Sequence, residues 1–151
     1  VKTVIRCIPV TELEQKADAL TRQHWNEVAL NKSVPLDIDW PLYAAMEASG
    51  RIFVVAVFDG SDNLVGYSVN QLFNHPHYRT VKMCQNDALF LLPSVRGGHV
   101  GIQLMNFTRT EAKARGAKRL MWHAKKGTAL DRLLDTSRDY IVQDIIYSTE
   151  L

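Results

Sequence analysis

The sequence predicts an α/β (α+β) fold, a mixed and mostly antiparallel central sheet flanked by helices. Three observations carry this. The run Ile52-Phe53-Val54-Val55-Ala56-Val57 is almost continuously apolar, β-branched or aromatic, as a central strand covered on both faces must be. The turn Asp59-Gly60-Ser61-Asp62-Asn63 follows it and leads into alternating strands, which is a hairpin signal. After Pro93 the apolar period lengthens from about two to about 3.6, so strands give way to a helix.

The elements follow in order. Thr3 to Ile8 is a β-branched strand stopped by Pro9. Thr11 opens a helix, with Glu14 three residues later forming a capping box. Leu13, Ala17, Leu20, His24 and Val28 follow at near-helical spacing, with Trp25 beside them. Residues 31–39 are a loop rich in turn residues. Asp39 or Trp40 caps a second helix, Pro41 suits its first turn, and Gly50 ends it. Arg51 to Phe58 is the central strand, Leu64 to Phe73 its alternating hairpin partner, and Thr80 to Leu91 a third strand of the meander. His99 to Arg115 is a helix with Leu104, Met105, Thr108 and Ala112 on one stripe, stopped at Gly116. Residues 120–124 form a strand, Thr128 caps a short helix to Leu134, and Tyr140 to Ser148 form a final strand. The order is βααβββαβαβ, with no repeat and no composition break, so residues 1–151 are expected to form a single domain.

Charge and composition exclude some functions. Eighteen basic and sixteen acidic residues leave a net charge of +2, without the excess or stripe of a dedicated nucleic-acid binder. Cys7 and Cys84 are the only cysteines, each in an apolar run, which suits buried free thiols in a reducing compartment. No window approaches the ~18 apolar residues of a membrane helix, and the N-terminus lacks the layout of a signal peptide. The chain is therefore expected to be cytoplasmic and complete, with no membrane and no nucleic acid among its partners. His75 and His77 on a loop lack a third ligand, so no metal site is expected.

One segment carries chemistry. Residues 91–105 run from a strand through a glycine-containing loop into a helix N-terminus. The first amides of a helix have no intrahelical partners, and the helix dipole places partial positive charge there. Gly97, Gly98 and Gly101 let the backbone approach an anion, and Arg96 adds a positive charge. A pyrophosphate fits these features best. The patterns G-x-x-x-x-G-K-[ST] and G-x-G-x-x-G are both absent.

Arg96 to Gly101, with the strand and Pro93 before it and the long helix after it, resembles the motif Q/R-x-x-G-x-G/A of the Gcn5-related N-acetyltransferases. Arg96 matches the first position and Gly101 the last. His99 stands where the middle glycine is usual, with Gly98 one place earlier. The element order is similar from Thr3 to Ser148.

The resemblance implies acetyl-CoA as co-substrate and a small-molecule or protein amine as acceptor. It implies that Phe90, Leu91 and Leu92 pair with the pantetheine arm in an opening beside residues 120–124. The amides of Gly97, Gly98, His99, Val100, Gly101 and Ile102 would then hold the pyrophosphate, and Lys126 and Arg132, with Lys125, would meet the nucleotide phosphates. The Leu91 amide is the oxyanion donor, Asp87 the candidate base, and His123 a second candidate. The tyrosine that often protonates the thiolate is missing from residues 128–134. Trp25, Trp40, Tyr43, Glu47, Asn70, Phe73, His75, His77 and Tyr78 are candidates for the acceptor side. A non-catalytic module that binds acyl-CoA or a protein partner is the alternative, as is an interaction protein that keeps only the fold. Ile141, Val142, Ile145 and Ile146 are apolar enough to permit a homodimer.

Overall fold

A computed structural model describes residues 2–151. Five strands form one sheet in the order β1-β2-β3-β4-β5. They are β1 (Val4–Ile8), β2 (Ile52–Phe58), β3 (Leu64–His75), β4 (Tyr78–Leu91) and β5 (Arg119–Met121). The first four pair antiparallel, and β5 joins β4 in parallel. The helices are α1 (Val10–Lys16), α2 (Asp18–Val28), α3 (Trp40–Ala48), α4 (Val100–Ala114) and α5 (Ala129–Thr136), and Pro93–Val95 form a 3-10 turn. The expected mixed, mostly antiparallel sheet with flanking helices is present.

The strand β2 explains the two layers. All seven of its residues are buried. Its even-numbered side chains join Val10, Leu13, Leu20, Tyr67 and Phe90 under α1 and α2. Its odd-numbered ones join Val65, Cys84 and Leu104 under α4. Alternation along a strand sends successive side chains to opposite faces, so one continuous apolar run serves two cores. The stripe Leu104, Met105, Thr108 and Ala112 is the buried face of α4, as its spacing predicts.

Helix ends agree with the sequence in four places. Asp39 caps α3 through Leu42 N–H at 2.8 Å, and Thr128 caps α5 through Asp131 N–H at 3.3 Å. Gly50 (φ 69°) and Gly116 (φ 87°) take the left-handed conformation just beyond α3 and α4. The Thr11–Glu14 capping box does not form. The helix begins one residue earlier, behind Pro9, and the Val10 N–H is bound by the Glu47 carboxylate of α3 at 3.0 and 3.2 Å. A distant carboxylate does the work of a local cap.

Four further expectations are corrected. The first helix is two helices, because Ala17 departs from helical geometry (φ −101°, ψ −1°) where it is drawn fully into the core. The strand expected at 120–124 pairs only through residues 119–121, beyond which β4 and β5 part. The hairpin of β3 and β4 is longer than predicted, closing at His75↔Tyr78. The final strand over Tyr140–Ser148 is absent. Its β-branched residues propose a strand, but strand formation needs a neighbouring ladder, and this segment has none. Ile141, Val142, Ile145 and Ile146 are each more than 70% exposed.

Candidate active site

The site forms where the sheet opens. β4 and β5 pair at Met83↔Arg119, Cys84↔Leu120 and Gln85↔Met121, and no further. β4 continues to Leu91 with β3 on one side only. The tip of β4 therefore presents an unpaired edge to the gap. Leu92 N–H donates to Val65 C=O on β3 at 2.8 Å. Leu91 alternates with it, and its carbonyl accepts from Arg96 Nε at 2.8 Å. In an antiparallel ladder the N–H and C=O of one residue point the same way, so the Leu91 N–H is turned toward the gap. Pairing an extended ligand along such an edge is a known recognition mode.

Gly66 makes this tip possible. A Cβ there would stand 2.3 Å from Leu91 Cδ2 and 2.8 Å from the Phe90 carbonyl oxygen. Only glycine lets β3 run this close behind Leu91.

A bulge shapes the same strand. The register slips between Val69/Ala88 and Asn70/Asn86, leaving Asp87 as the extra residue. A buried amide holds the bulge. Asn86 Nδ2 has two hydrogens to give and lies within hydrogen-bond reach of four acceptors: Asn70 Oδ1 at 3.0 Å, the Val69 and Ala88 carbonyls at 3.1 Å each, and Ser68 Oγ at 3.2 Å. Asp87 is thereby presented to α3, where Tyr43 Oη donates to its Oδ2 at 2.6 Å. Gln71 Nε2 donates to Oδ1 at 3.2 Å. Burial, and then the bond to Asp87, push the Tyr43 hydroxyl far above its ordinary range, so it remains a donor at neutral pH.

At the start of α4 the amides of Val100, Gly101 and Ile102 lie ahead of the first intrahelical bond, from Gln103 N–H to the His99 carbonyl at 2.9 Å. No side chain caps this end and no acidic residue lies in its first turn. Gly97 sits at φ 83°, and a Cβ on Gly97 or Gly98 would meet nothing within 4 Å. A cavity of about 450 Å³ lies against Ser94, Arg96, Gly98, His99 and Gln103. These features fit a phosphate group approaching the backbone.

Other predicted residues stand elsewhere. Arg96 is folded back: besides the Leu91 carbonyl it binds Glu27 of α2, Nη2 to Oε2 at 2.7 Å, and its guanidinium lies 5.1 Å from the Phe90 ring centroid. His123 is exposed and lies beyond the paired part of β5. Lys126 and Arg132 make their contacts inside their own segment, to Asp131 at 3.5 Å and to the Gly127 carbonyl at 2.8 Å. Asn70 is buried in the bulge network and cannot line an acceptor pocket. Glu47 is committed to Val10. Phe73, His75, His77 and Tyr78 lie at or near the hairpin turn, and nine residues of strand separate Tyr78 from Asp87, about 30 Å at ~3.3 Å per residue. They belong to the opposite end of the sheet.

Sequence reasoning missed His24, Glu27, Gly66, Tyr67, Gln71 and Asn86. His24 Nδ1 lies 2.7 Å from Tyr67 Oη, and its ring stacks on Phe90 at 4.8 Å between centroids. A histidine on the apolar stripe of α2 was the available signal. The partners of the others depend on register.

The matching family is the acetyltransferase (GNAT) family, over residues 13–132. The chain belongs to this family. It is an acetyltransferase by membership, and amine acetylation is the reaction class. No curated protein matches the sequence.

Solved structures share the fold at low identity. An aminoglycoside acetyltransferase from an uncultured soil metagenomic sample, in complex with trehalose, has a TM-score of 0.74 at 14% identity, covering 99% of this GNAT chain and 96% of that one. A ribosomal-protein-alanine N-acetyltransferase from Brucella melitensis biovar Abortus 2308 gives 0.73 at 14%, covering all of both chains. A predicted acetyltransferase from Clostridium acetobutylicum, solved with acetyl-CoA, gives 0.71 at 14%, covering 99% and 96%.

Proposed function

We propose that this GNAT chain moves an acetyl group from acetyl-CoA to a primary amine, with the acyl thioester lying in the gap between β4 and β5. The observation that carries the reading is the Leu91 N–H turned into that gap beside the exposed α4 amides. The pantetheine arm would run along residues 90–92 and the pyrophosphate would rest on residues 97–102. The Leu91 amide would then face the carbonyl oxygen that gains charge as the amine attacks, a placement that favours the transition state over the ground state. Arg96 acts from the gap side by fixing the Leu91 carbonyl, and so the direction of its amide.

Asp87 is the acceptor for the proton that an ammonium must lose before it can attack. Tyr43 and Gln71 each bind one of its oxygens, which fixes the carboxylate while leaving lone pairs open. Acceptors of the kinds named for the similar structures, an aminoglycoside and an alanine N-terminus, join a polyamine as the first amines to try. Thiol release from acetyl-CoA with each amine tests the reading. A thermal shift with acetyl-CoA and turnover with at least one amine is the expected result. A shift without turnover favours the non-catalytic module instead, a reading that draws support from the absence of tyrosine in α5.

Three coarser readings accompany this one. Two cores sharing β2 support a single domain over the whole chain. Free thiols at Cys7 and Cys84 support a reducing, cytoplasmic setting, and no helix among the described residues is long and apolar enough to cross a membrane. The exposed Ile141, Val142, Ile145 and Ile146, together with the short edge strand β5, support a homodimer, which light scattering reads directly.

A further inference from the structure

Acetyl transfer to an amine moves two protons. One leaves the ammonium before attack. The other leaves the nitrogen once it has bonded to carbon, and the departing sulfur takes one up. Asp87 suits the first. α5 carries no tyrosine for the second.

The helix α2 spans the opening of the sheet. On one side Glu27 binds Arg96, the residue fixed to the tip of β4. On the other, the Val28 carbonyl accepts from Lys125, on the chain that leaves β5. His24 lies three and four residues before these two, hence on the same helical face. Its ring rests on Phe90, the residue before the oxyanion donor. Nδ1 is engaged by Tyr67 Oη at 2.7 Å, and Tyr67 is itself only 3% exposed. The other ring nitrogen, Nε2, has no protein partner among the described residues, yet it is not sealed away from solvent.

Resting on the acetyl-transfer reading, we infer that His24 carries the second proton, with Tyr67 as the positioning residue that fixes its ring. As the C–N bond forms, the carbonyl electron pair moves onto oxygen beside the Leu91 amide. The positively charged nitrogen gives a proton to His24 Nε2, while Nδ1–H donates to Tyr67. When the C–S bond breaks, its electron pair stays on sulfur and His24 returns the proton there. Amide and free thiol leave, and His24 ends neutral as it began.

The surroundings suit this cycle. Burial holds the His24 imidazolium below its ordinary range, the neighbouring Glu27 opposes this, and Lys125 and Arg96 add to it. Tyr67 from β3 is the remaining titratable group against the ring, with Tyr43 of α3 beyond it. A neutral imidazole at pH 7 is ready to accept.

The test compares wild type with His24→Gln, His24→Ala and Tyr67→Phe, using acetyl-CoA and whichever of the three amines turns over. His24→Gln is expected to lower kcat by about 10²-fold or more, with KM for acetyl-CoA within about twofold. It also removes the contribution of His24 to the acidic limb of the kcat–pH profile. Added imidazole partly restores His24→Ala, a response that a merely structural role would not give. Tyr67→Phe retains the limb but lowers kcat. Independently of any acceptor, acetyl-CoA is expected to shift the ring NMR signals of His24 and not those of His75 and His77. A His24→Gln enzyme within about threefold of wild type overturns the inference and leaves acetyl transfer standing, as do unmoved His24 signals. A wild-type enzyme that acetylates none of the amines overturns the acetyl-transfer reading itself.

Discussion

Asp87 has both carboxylate oxygens engaged by neutral donors, Tyr43 and Gln71, so its position is fixed without a competing cation. Asp87→Asn keeps the size and removes the proton acceptor. It is expected to lower kcat by about 10²-fold while the thermal midpoint stays close to wild type, measured by thiol release and circular dichroism. Gly66 sits in the same strand pair but acts through space alone. Gly66→Ala forces a methyl against the Phe90 carbonyl and Leu91, which costs about 1–3 kcal/mol and displaces the β4 tip. Urea denaturation reads the loss, and a raised KM for acetyl-CoA reads the displacement. Asp87 and the Leu91 amide were assigned through the family motif. Gly66 gives no signal of its own within the alternating run from Leu64 to Phe73, because nothing local says what lies behind it.

The β4 bulge shows what a strand can do that its residues cannot do singly. Asn86 reaches the carbonyls of Val69 and Ala88, the facing pair next to the register slip, and thereby presents Asp87 to α3. Asn86→Leu removes the two N–H donors that the Val69 and Ala88 carbonyls face, while Ser68 Oγ still donates to Asn70 Oδ1. A stability loss of about 2–3 kcal/mol and a fall in kcat are both expected, the second because Asp87 loses its aim. The packing of α2 on β4 has a pH signature. The folded-state value of His24 lies below that of the unfolded chain, so its neutral form favours folding above the ordinary value of about 6.5. That contribution is lost as pH falls from there through the folded value. Denaturation midpoints measured across this window should decline for wild type and decline less for His24→Gln. Spacing alone placed His24 on the core-facing stripe of a helix. It could not name Tyr67 as the partner, since the two are 43 residues apart.

Across the whole molecule the sheet is closed by β1 at one edge and left short at β5 on the other. The segment from Tyr140 onward adds no buried side chain. Its removal after Asp139 is expected to move the thermal midpoint by no more than about 1–2 °C, since exposed positions contribute within about 0.5 kcal/mol. Light scattering on the same truncation shows whether the exposed apolar residues hold two copies together. An unchanged midpoint with a lost dimer supports the homodimer, and an unchanged monomer removes it.

The sequence by itself determined the architecture: one apolar run long enough to serve two cores, turn residues at the hairpins, a cap at Asp39 or Trp40 and another at Thr128, and the glycine loop ahead of α4. These are local or periodic properties, and a local code can specify them. Only the tertiary structure decided where strands stop and which side chains meet. It parted β4 from β5 after Gln85, left Tyr140–Ser148 without a ladder, gave the cap of α1 to Glu47, folded Arg96 onto Glu27, and set His24 on Phe90 beside Tyr67. Each of those outcomes depends on a partner distant in sequence, and composition and spacing carry no record of which distant residue it is.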